Sequence, residues 1–386
     1  MAQYRSDTAS SWQQQHQQLA SAASSSSSQY QLVSSAGRIS WQQQLVAAAG
    51  IISSCFNRVT RVAGGMTFRG RVGIWVSGTK LRDMDMEEFA ETCREKKIEV
   101  IKINQTRPLS EQGSFQVLIH RLTEEMHNAS TGDTRARRII DDFQEYITSR
   151  PGMVVMDPLD SIKTLLDREV TYSLIRRLQQ GGTAADDGIC IPNFVELKTS
   201  DPGEICDLMA QHGVTFPFVC KTKVAEANNS NEMMVIFGRR GLRDVRLPCV
   251  AQSFINHNAV LHKVYVVGTR WVHSLRLSIK NFPQGEHDAD TVFFHSHEVC
   301  KPNKNSPLSV LDDEEPPMPM PLCERWVHKV VRALQDALHV TLVGVDVIVE
   351  NGTGRHYVID VNALPSYDCV PEFSEWLADY LNSVMK

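Results

Sequence analysis

Three oxygen-bearing side chains stand out by type and spacing: Asp346, Asp360 and Asn362. The first lies in Gly344-Val-Asp346-Val-Ile-Val-Glu350 and the other two in His356-Tyr-Val-Ile-Asp360-Val-Asn362-Ala, with Asn351-Gly-Thr-Gly354 between them. That intervening stretch is a hairpin turn signal. A hairpin there sets Asp346 and Asp360 near the same level on neighbouring strands. Asp360 and Asn362 are two residues apart and share one face of their strand. Carboxylates buried in Val/Ile-rich strands are costly without a compensating charge. Magnesium supplies that charge and prefers oxygen ligands, with bound phosphates completing its shell. The competing reading is a pair of strand-end aspartates that accept backbone hydrogen bonds.

Two lysines fit the same chemistry. Phe216-Pro-Phe-Val-Cys-Lys221 ends an apolar strand on a lysine, a point charge suited to phosphate. Taken alone, a lysine leaving a strand end into solvent is an equally ordinary reading. Val250-Ala-Gln252-Ser-Phe-Ile255-Asn-His-Asn-Ala-Val-Leu-His-Lys263 places an apolar strand, a polar turn and a second strand in series. Its turn would offer backbone groups to an adenine, and Lys221 and Lys263 would bracket a triphosphate. His257 and His297 receive no role. No G-x-x-x-x-G-K-[ST] loop, no G-x-G-x-x-G opening a helix and no H-R-D loop is present, so nucleotide use would need another scaffold.

The elements that must hold these residues are readable as an alternating pattern. Strands are expected at 71–76, 98–103, 115–120 and 154–156, with helices at 83–97 and 134–149, which is an α/β unit with a parallel sheet. Helices follow at 159–166, 171–179 and 201–212. Strands are expected at 216–222, 233–237, 250–255, 260–267, 271–277 and 292–296. Residues 323–339 form an amphipathic helix with Trp326, Val327, Val330, Val331, Leu334 and Leu338 on one stripe. A strand pair (342–350, 355–362) and a helix (371–385) end the chain, and the Pro- and acid-rich stretch 302–321 reads as a surface loop.

With 386 residues the chain is long enough for two or three packed units. No apolar run approaches the roughly 20 residues of a membrane span. The nine scattered cysteines contain no C-x-x-C pair and suggest reduced thiols in a cytoplasmic setting. Net charge is −5, but residues 1–69 carry +4 and the remainder −9. An acidic body argues against nucleic-acid binding, while leaving room for a small anion held by a few focused lysines. Residues 1–69, rich in Gln and Ser and almost free of acids, read as a disordered tail or a transit-like leader, or else as a segment preceding a true start at Met66.

From Met66 to about Met385 the chain resembles the inositol 1,3,4-trisphosphate 5/6-kinases, also called inositol-tetrakisphosphate 1-kinases. The resemblance rests on Arg71-Val-Gly-Ile-Trp-Val-Ser77, Arg107-Pro-Leu-Ser-Glu-Gln-Gly113, Asp157-Pro-Leu159, Thr164-Leu-Leu-Asp-Arg168, Phe216-Pro-Phe-Val-Cys-Lys221, Phe254-Ile-Asn-His-Asn-Ala-Val-Leu261, Lys280-Asn-Phe282 and Val358-Ile-Asp-Val-Asn-Ala-Leu-Pro365, all in order. It implies an α/β and α+β ATP-grasp protein: an N-terminal α/β domain (70–156), then central (157–250) and C-terminal (251–386) domains clamping ATP. It implies a Mg-ATP-dependent kinase acting on inositol polyphosphates. Asp346, Asp360 and Asn362 would hold two magnesium ions. Arg168, Lys221, Gln252, Ile255, Lys263, Ser278, Ser296 and Cys300 fall where the family contacts ATP. Lys80, Arg121, Asn231, Lys263, Asn362 and Ser366 fall on the acceptor side, and Lys263 and Asp360 at the reacting centre. Nothing in the sequence demands more than a monomer.

The chain departs from the family pattern mostly on the acceptor side. The loop Ala225-Glu-Ala-Asn-Asn-Ser-Asn231 lacks the family's glycine, and Asn231 replaces a histidine. Asn can donate a hydrogen bond but carries no charge. Glu226 would repel a polyphosphate if it faced the site. Ser366 stands in place of glycine and Leu277 in place of proline. These changes keep a second reading open, a catalytically impaired protein that still binds ATP or inositol phosphate. A carboxylate–amine ligase on the same scaffold is a third.

Overall fold

The computed structural model describes residues 67–76, 85–180, 188–226, 229–300, 306–312 and 320–385. Lys80 and Ala227 lie outside the described residues, as do 1–66, on which the tail expectation rests, and much of the 302–321 loop.

The first unit is a parallel four-stranded sheet. It contains β1 (Gly70–Trp75), β2 (Ile98–Lys102), β3 (Val117–His120) and β4 (Val154–Met156), in the order β2-β1-β3-β4. Helices α1 (Met86–Glu95), α2 (Thr123–Ser130) and α3 (Thr134–Thr148) accompany it. Asp85 and Asp133 cap α1 and α3 by accepting hydrogen bonds from their first-turn N–H groups. The chain passes from β1 out to β2 and returns to β3 on the other side of β1. Such a reversal opens a crevice at the carboxyl ends of the strands, where ligands bind in open α/β sheets. Helix α2 was not expected from the sequence, because only Met126 and Ala129 supply an apolar side to its eight residues.

Two helices, α4 (Leu159–Leu166) and α5 (Arg168–Gln180), lead into an antiparallel sheet of five strands. These are β5 (Phe194–Leu197), β6 (Phe218–Thr222), β7 (Glu232–Ile236), β8 (Cys249–Ser253) and β11 (Val292–His295), ordered β11-β7-β6-β8-β5. Helix α6 (Pro202–His212) covers it, capped by Asp201 and ended by Gly213 in the left-handed conformation. Strand β5 is four residues long, too short to show a period. Strand β8 runs through residue 250 and β11 returns from further along the chain, so this sheet draws on both sides of the boundary expected there.

The second antiparallel sheet contains β9 (Val260–Val267), β10 (Arg270–Leu277), β12 (Leu342–Val349) and β13 (His356–Ala363), ordered β10-β9-β12-β13. Between the sheets' strands the chain forms α7 (Ser296–Cys300), taking up Ser296, which the sequence pattern assigned to the preceding strand. Helix α8 (Glu324–Leu338) buries all six residues of its predicted stripe against this sheet. Each such side chain contributes about 1.5–3 kcal/mol by leaving water. Helix α9 (Phe373–Val384) ends the chain and packs on α1, joining the last element to the first unit.

Asp157 makes a second tie. Its buried carboxylate accepts hydrogen bonds from Thr341 N (2.7 Å) and Leu342 N (3.0 Å), at the start of β12, and from the Thr341 hydroxyl. Its carbonyl is 2.7 Å from His120 Nε2 at the end of β3.

Candidate active site

The two antiparallel sheets and the end of β3 enclose a cavity of about 900 Å³. Every predicted site residue among the described ones lines it. Lys80 lies outside that set.

The centre is a row of charges across one sheet. In the antiparallel register Lys263 on β9 is the direct partner of Asp346 on β12, and Asp346 is the direct partner of Asp360 on β13. Lys263 Nζ donates to Asp346 Oδ1 at 2.7 Å. Burial alone would lower the Lys263 ammonium, but the Asp346 carboxylate outweighs it and holds the group above its ordinary value. Arg168, at the start of α5, brings Nη2 to 3.6 Å from Asp360 Oδ2. The row therefore reads cation, carboxylate, carboxylate, cation. Asn362 shares the face of Asp360 and donates from Nδ2 to Asp346 Oδ2 at 3.3 Å. The strand register shifts just after Asp346, and irregularities of this kind re-aim side chains beside sites. Asp346 is in mid-strand and its partners are side chains, unlike the strand-end alternative; Asp360 accepts from its neighbour's Val361 N.

Gly344 helps to make room for this row. A Cβ there would meet Pro365 at 3.1 Å and Lys263 Cε at 3.6 Å. It sits two residues from Asp346 on the same face.

Lys221 on β6 reaches the same place from the other sheet. It donates to Gln252 Oε1 (2.9 Å), to the Tyr172 hydroxyl (3.1 Å) and to the carbonyl of Ile359 (2.8 Å), beside Asp360. Burial lowers its pKa to about 8. Lys223, two residues on, turns instead to Glu196 (2.7 Å) and Asp167 (3.4 Å). Arg168 Nη1 donates to Thr222 O (2.7 Å) and Thr222 Oγ1 (3.0 Å), which locks its planar head. Two buried N–H groups at this wall, Arg168 Nε and Gln252 Nε2, have no partner within the protein. Buried donors without acceptors are costly, and an anionic ligand's oxygens would satisfy them.

The turn between β8 and β9 is held by a residue the sequence reading passed over. His257 is buried, and burial lowers its pKa to about 4, so the ring is neutral. Its Nδ1–H donates to the Ile255 carbonyl (2.6 Å), leaving Nε2 to accept from the Ser278 hydroxyl (2.7 Å). One imidazole thus fixes both Ile255 and Ser278. Asn281 Oδ1 accepts from the N–H groups of His257 (3.1 Å) and Asn258 (2.9 Å) and sets the same turn. A histidine following an apolar strand carries no sequence signal for this positioning.

Ser296 opens α7, and Asn231 binds it twice: Ser296 N donates to Asn231 O (2.8 Å) and Ser296 Oγ to Asn231 Oδ1 (3.1 Å). Cys300 closes the same short helix, its thiol pushed up to about 12 by burial. Arg276 on β10 was also missed. Its side chain lines the cavity and Nη2 donates to the Tyr265 hydroxyl at 2.7 Å. Glu226 does face the cavity, but it is paired: Arg121 Nη2 lies 3.3 and 3.4 Å from its two oxygens.

The donor set fits magnesium. Two carboxylates and one amide on adjacent strands give a short, all-oxygen set, and magnesium keeps several positions for water and phosphate.

Comparisons with known proteins agree with this geometry. Residues 71–162 match the inositol 1,3,4-trisphosphate 5/6-kinase pre-ATP-grasp domain and residues 183–383 the ATP-grasp domain of the same family. The chain is 42% identical over 316 residues to inositol-tetrakisphosphate 1-kinase of Danio rerio and 40% identical over 316 residues to that of Xenopus laevis, in each case covering 82% of this chain and 79% of the relative. Among solved structures, D-cycloserine synthetase DcsG superposes with a TM-score of 0.53 at 13% identity, covering 82% of this chain and 100% of that one. The ATP-grasp ligase PsnB gives 0.51 at 13%, covering 82% and 99%. At such identities these two show the fold alone. Two family domains in order, relatives at 40% and 42% identity and a charged cavity between two antiparallel sheets converge: the chain belongs to the inositol 1,3,4-trisphosphate 5/6-kinase family and is an ATP-dependent kinase of ATP-grasp fold.

Proposed function

We propose that this chain transfers the terminal phosphoryl group of ATP to a hydroxyl of an inositol tris- or tetrakisphosphate: position 5 or 6 of the 1,3,4-trisphosphate, and position 1 of the 3,4,5,6-tetrakisphosphate. The observation that carries the reading is the row Lys263–Asp346–Asp360–Arg168 at the meeting of the two sheets. The kinship to proteins named inositol-tetrakisphosphate 1-kinase supports the acceptor class.

Asp346, Asp360 and Asn362 would hold two magnesium ions, which neutralise phosphate charge when bound. Lys221 and Arg168 grip the phosphates from the β6 side, and Lys263 from the β9 side. Ile255, fixed by His257, offers backbone to the adenine, and Ser278, Ser296 and Cys300 line the nucleotide's other flank. Lys80, Arg121, Asn231, Asn362 and Ser366 form the acceptor side, with Arg276 adding a half-buried cation. In the reaction the acceptor oxygen bonds to the γ-phosphorus, the bond from that phosphorus to the β-bridging oxygen breaks, and the hydroxyl proton leaves to solvent. Charge neutralisation and positioning supply most of the rate in such transfers.

The test is ADP release by the full chain with magnesium, ATP and a panel of inositol tris- and tetrakisphosphates. Turnover with one or two members of the panel is expected. Magnesium-dependent ATP binding with no turnover on any member would replace this reading with a binding protein.

A further inference from the structure

We infer that Glu226 is an internal anion seated on Arg121 at the acceptor side, and that it selects between acceptors that place a phosphate there and acceptors that place a hydroxyl there. The inference rests on the kinase reading above and names a specificity-determining residue within it.

Arg121 follows β3, at the crevice where the parallel sheet reverses its strand order. Glu226 follows β6, in the loop whose sequence departs from the family pattern. The two are 105 residues apart and follow strands of different sheets, yet both line the cavity and come within 3.3 Å of one another. Both carboxylate oxygens address the single nitrogen Nη2, at 3.3 and 3.4 Å. This is a long, shared contact rather than the two-nitrogen fork that Arg makes with a well-seated carboxylate. The side chains are 18% and 24% exposed, so solvent reaches the pair. An ion pair of this kind is weak and displaceable.

The wall around it has unspent polar atoms. Arg121 Nε, Thr123 Oγ1 and His127 Nδ1 are buried without a partner in the protein, and Thr123 is 3% exposed. All three residues line the cavity. A phosphate arriving here would meet a guanidinium, a hydroxyl and an imidazole, but it would also meet the Glu226 carboxylate already on the guanidinium. It carries about −1.5 to −2 at neutral pH, so it must displace Glu226 and sit beside it. An acceptor presenting a hydroxyl at this point needs no displacement and can donate to the carboxylate. Glu226 therefore disfavours an acceptor that places a phosphate at Arg121 relative to one that places a hydroxyl there.

The test is steady-state kinetics of the full chain and of Glu226→Gln, each with the trisphosphate and the tetrakisphosphate as varied acceptor. Glu226→Gln is expected to lower the KM of one of the two acceptors, the one that places a phosphate at Arg121, by about two- to fivefold, the range of a partly exposed ion pair, with a smaller change for the other. In the Arg121→Gln background the same substitution is expected to give no gain, because there is no guanidinium to release. Turnover with both KM values unchanged, or both lowered alike, would overturn the inference and leave the kinase reading intact. Absence of turnover on every inositol phosphate by the unaltered chain would overturn the kinase reading, and this inference with it.

Discussion

Lys263 and Asp346 face each other directly across β9 and β12, with 2.7 Å between the ammonium and the carboxylate. Each is the other's nearest compensating charge in a largely buried position. Lys263→Met leaves Asp346 with only the Asn362 amide. Removing one partner of such a pair costs more than the pair itself contributes. Activity is expected to fall at least about 100-fold, as on loss of one preorganised charge at a reacting centre. The melting temperature should also fall, and Mg-ATP should recover part of that loss. Initial rates and thermal melts with and without Mg-ATP check both; a variant of unaltered rate would remove Lys263 from the reacting centre.

Asp360 sits between Asp346 and Arg168, and its substitution separates chemistry from folding. Asp360→Ala is expected to reduce ADP formation by about 10²–10³-fold or more. It removes one of two like charges paired across β12 and β13, at the cost of the Arg168 partner, so the fold should survive. ADP release together with far-ultraviolet circular dichroism decides the matter. Retained turnover would sink the assignment of Asp360 as a metal ligand.

Lys221 is expected to make the proposed nucleotide site sensitive to alkali. Its folded pKa is about 8, below the 10.5 of an unburied lysine, because burial disfavours the charge. As pH rises through 8 the folded protein loses this proton first, and the phosphate loses its cation. The affinity for ATP should fall above pH 8, approaching tenfold per pH unit, and ATP binding there should take up a proton. Stability runs the other way: between 8 and 10.5 the unfolded chain holds more protons than the folded one, so this residue's contribution to stability rises with pH. Calorimetric titrations in buffers of different ionisation enthalpy measure the proton uptake. A pH-independent affinity from 7 to 9.5 would contradict the prediction.

Asp157 joins the first unit to β12 through three donors. Asp157→Asn keeps the shape but turns an NH₂ toward at least one backbone N–H. The expected cost is about 2–3 kcal/mol, that of a buried donor left unmade plus the repulsion between donors. Thermal melts should show a drop of several degrees, with ATP binding to the folded fraction retained. An unchanged melting temperature would show that these bonds do not join the two units.

Much of the site was legible because strand periodicity fixes neighbours. The turn Asn351–Gly354 and the period of two were enough to pair Asp346 with Asp360 and to put Asn362 on the same face; the strands observed obey that register. The stripe of α8 and the parallel α/β beginning were equally readable, since both follow from local spacing.

What the sequence by itself determined is therefore local: which stretches become strands and helices, where their apolar faces lie, and which ligand-type side chains sit in register on one hairpin. Tertiary structure decided the rest, because it depends on contacts between distant segments that no periodicity encodes. It brought Lys263 beside Asp346 from 83 residues away and Lys221 against Ile359 from 138. It turned His257 from an unassigned histidine into the support of Ile255 and Ser278, and it bonded Asn231 to Ser296. It also set Glu226, 105 residues along the chain, against Arg121. A side chain's charge is written in the sequence, but which opposite charge meets it is settled only when the sheets close.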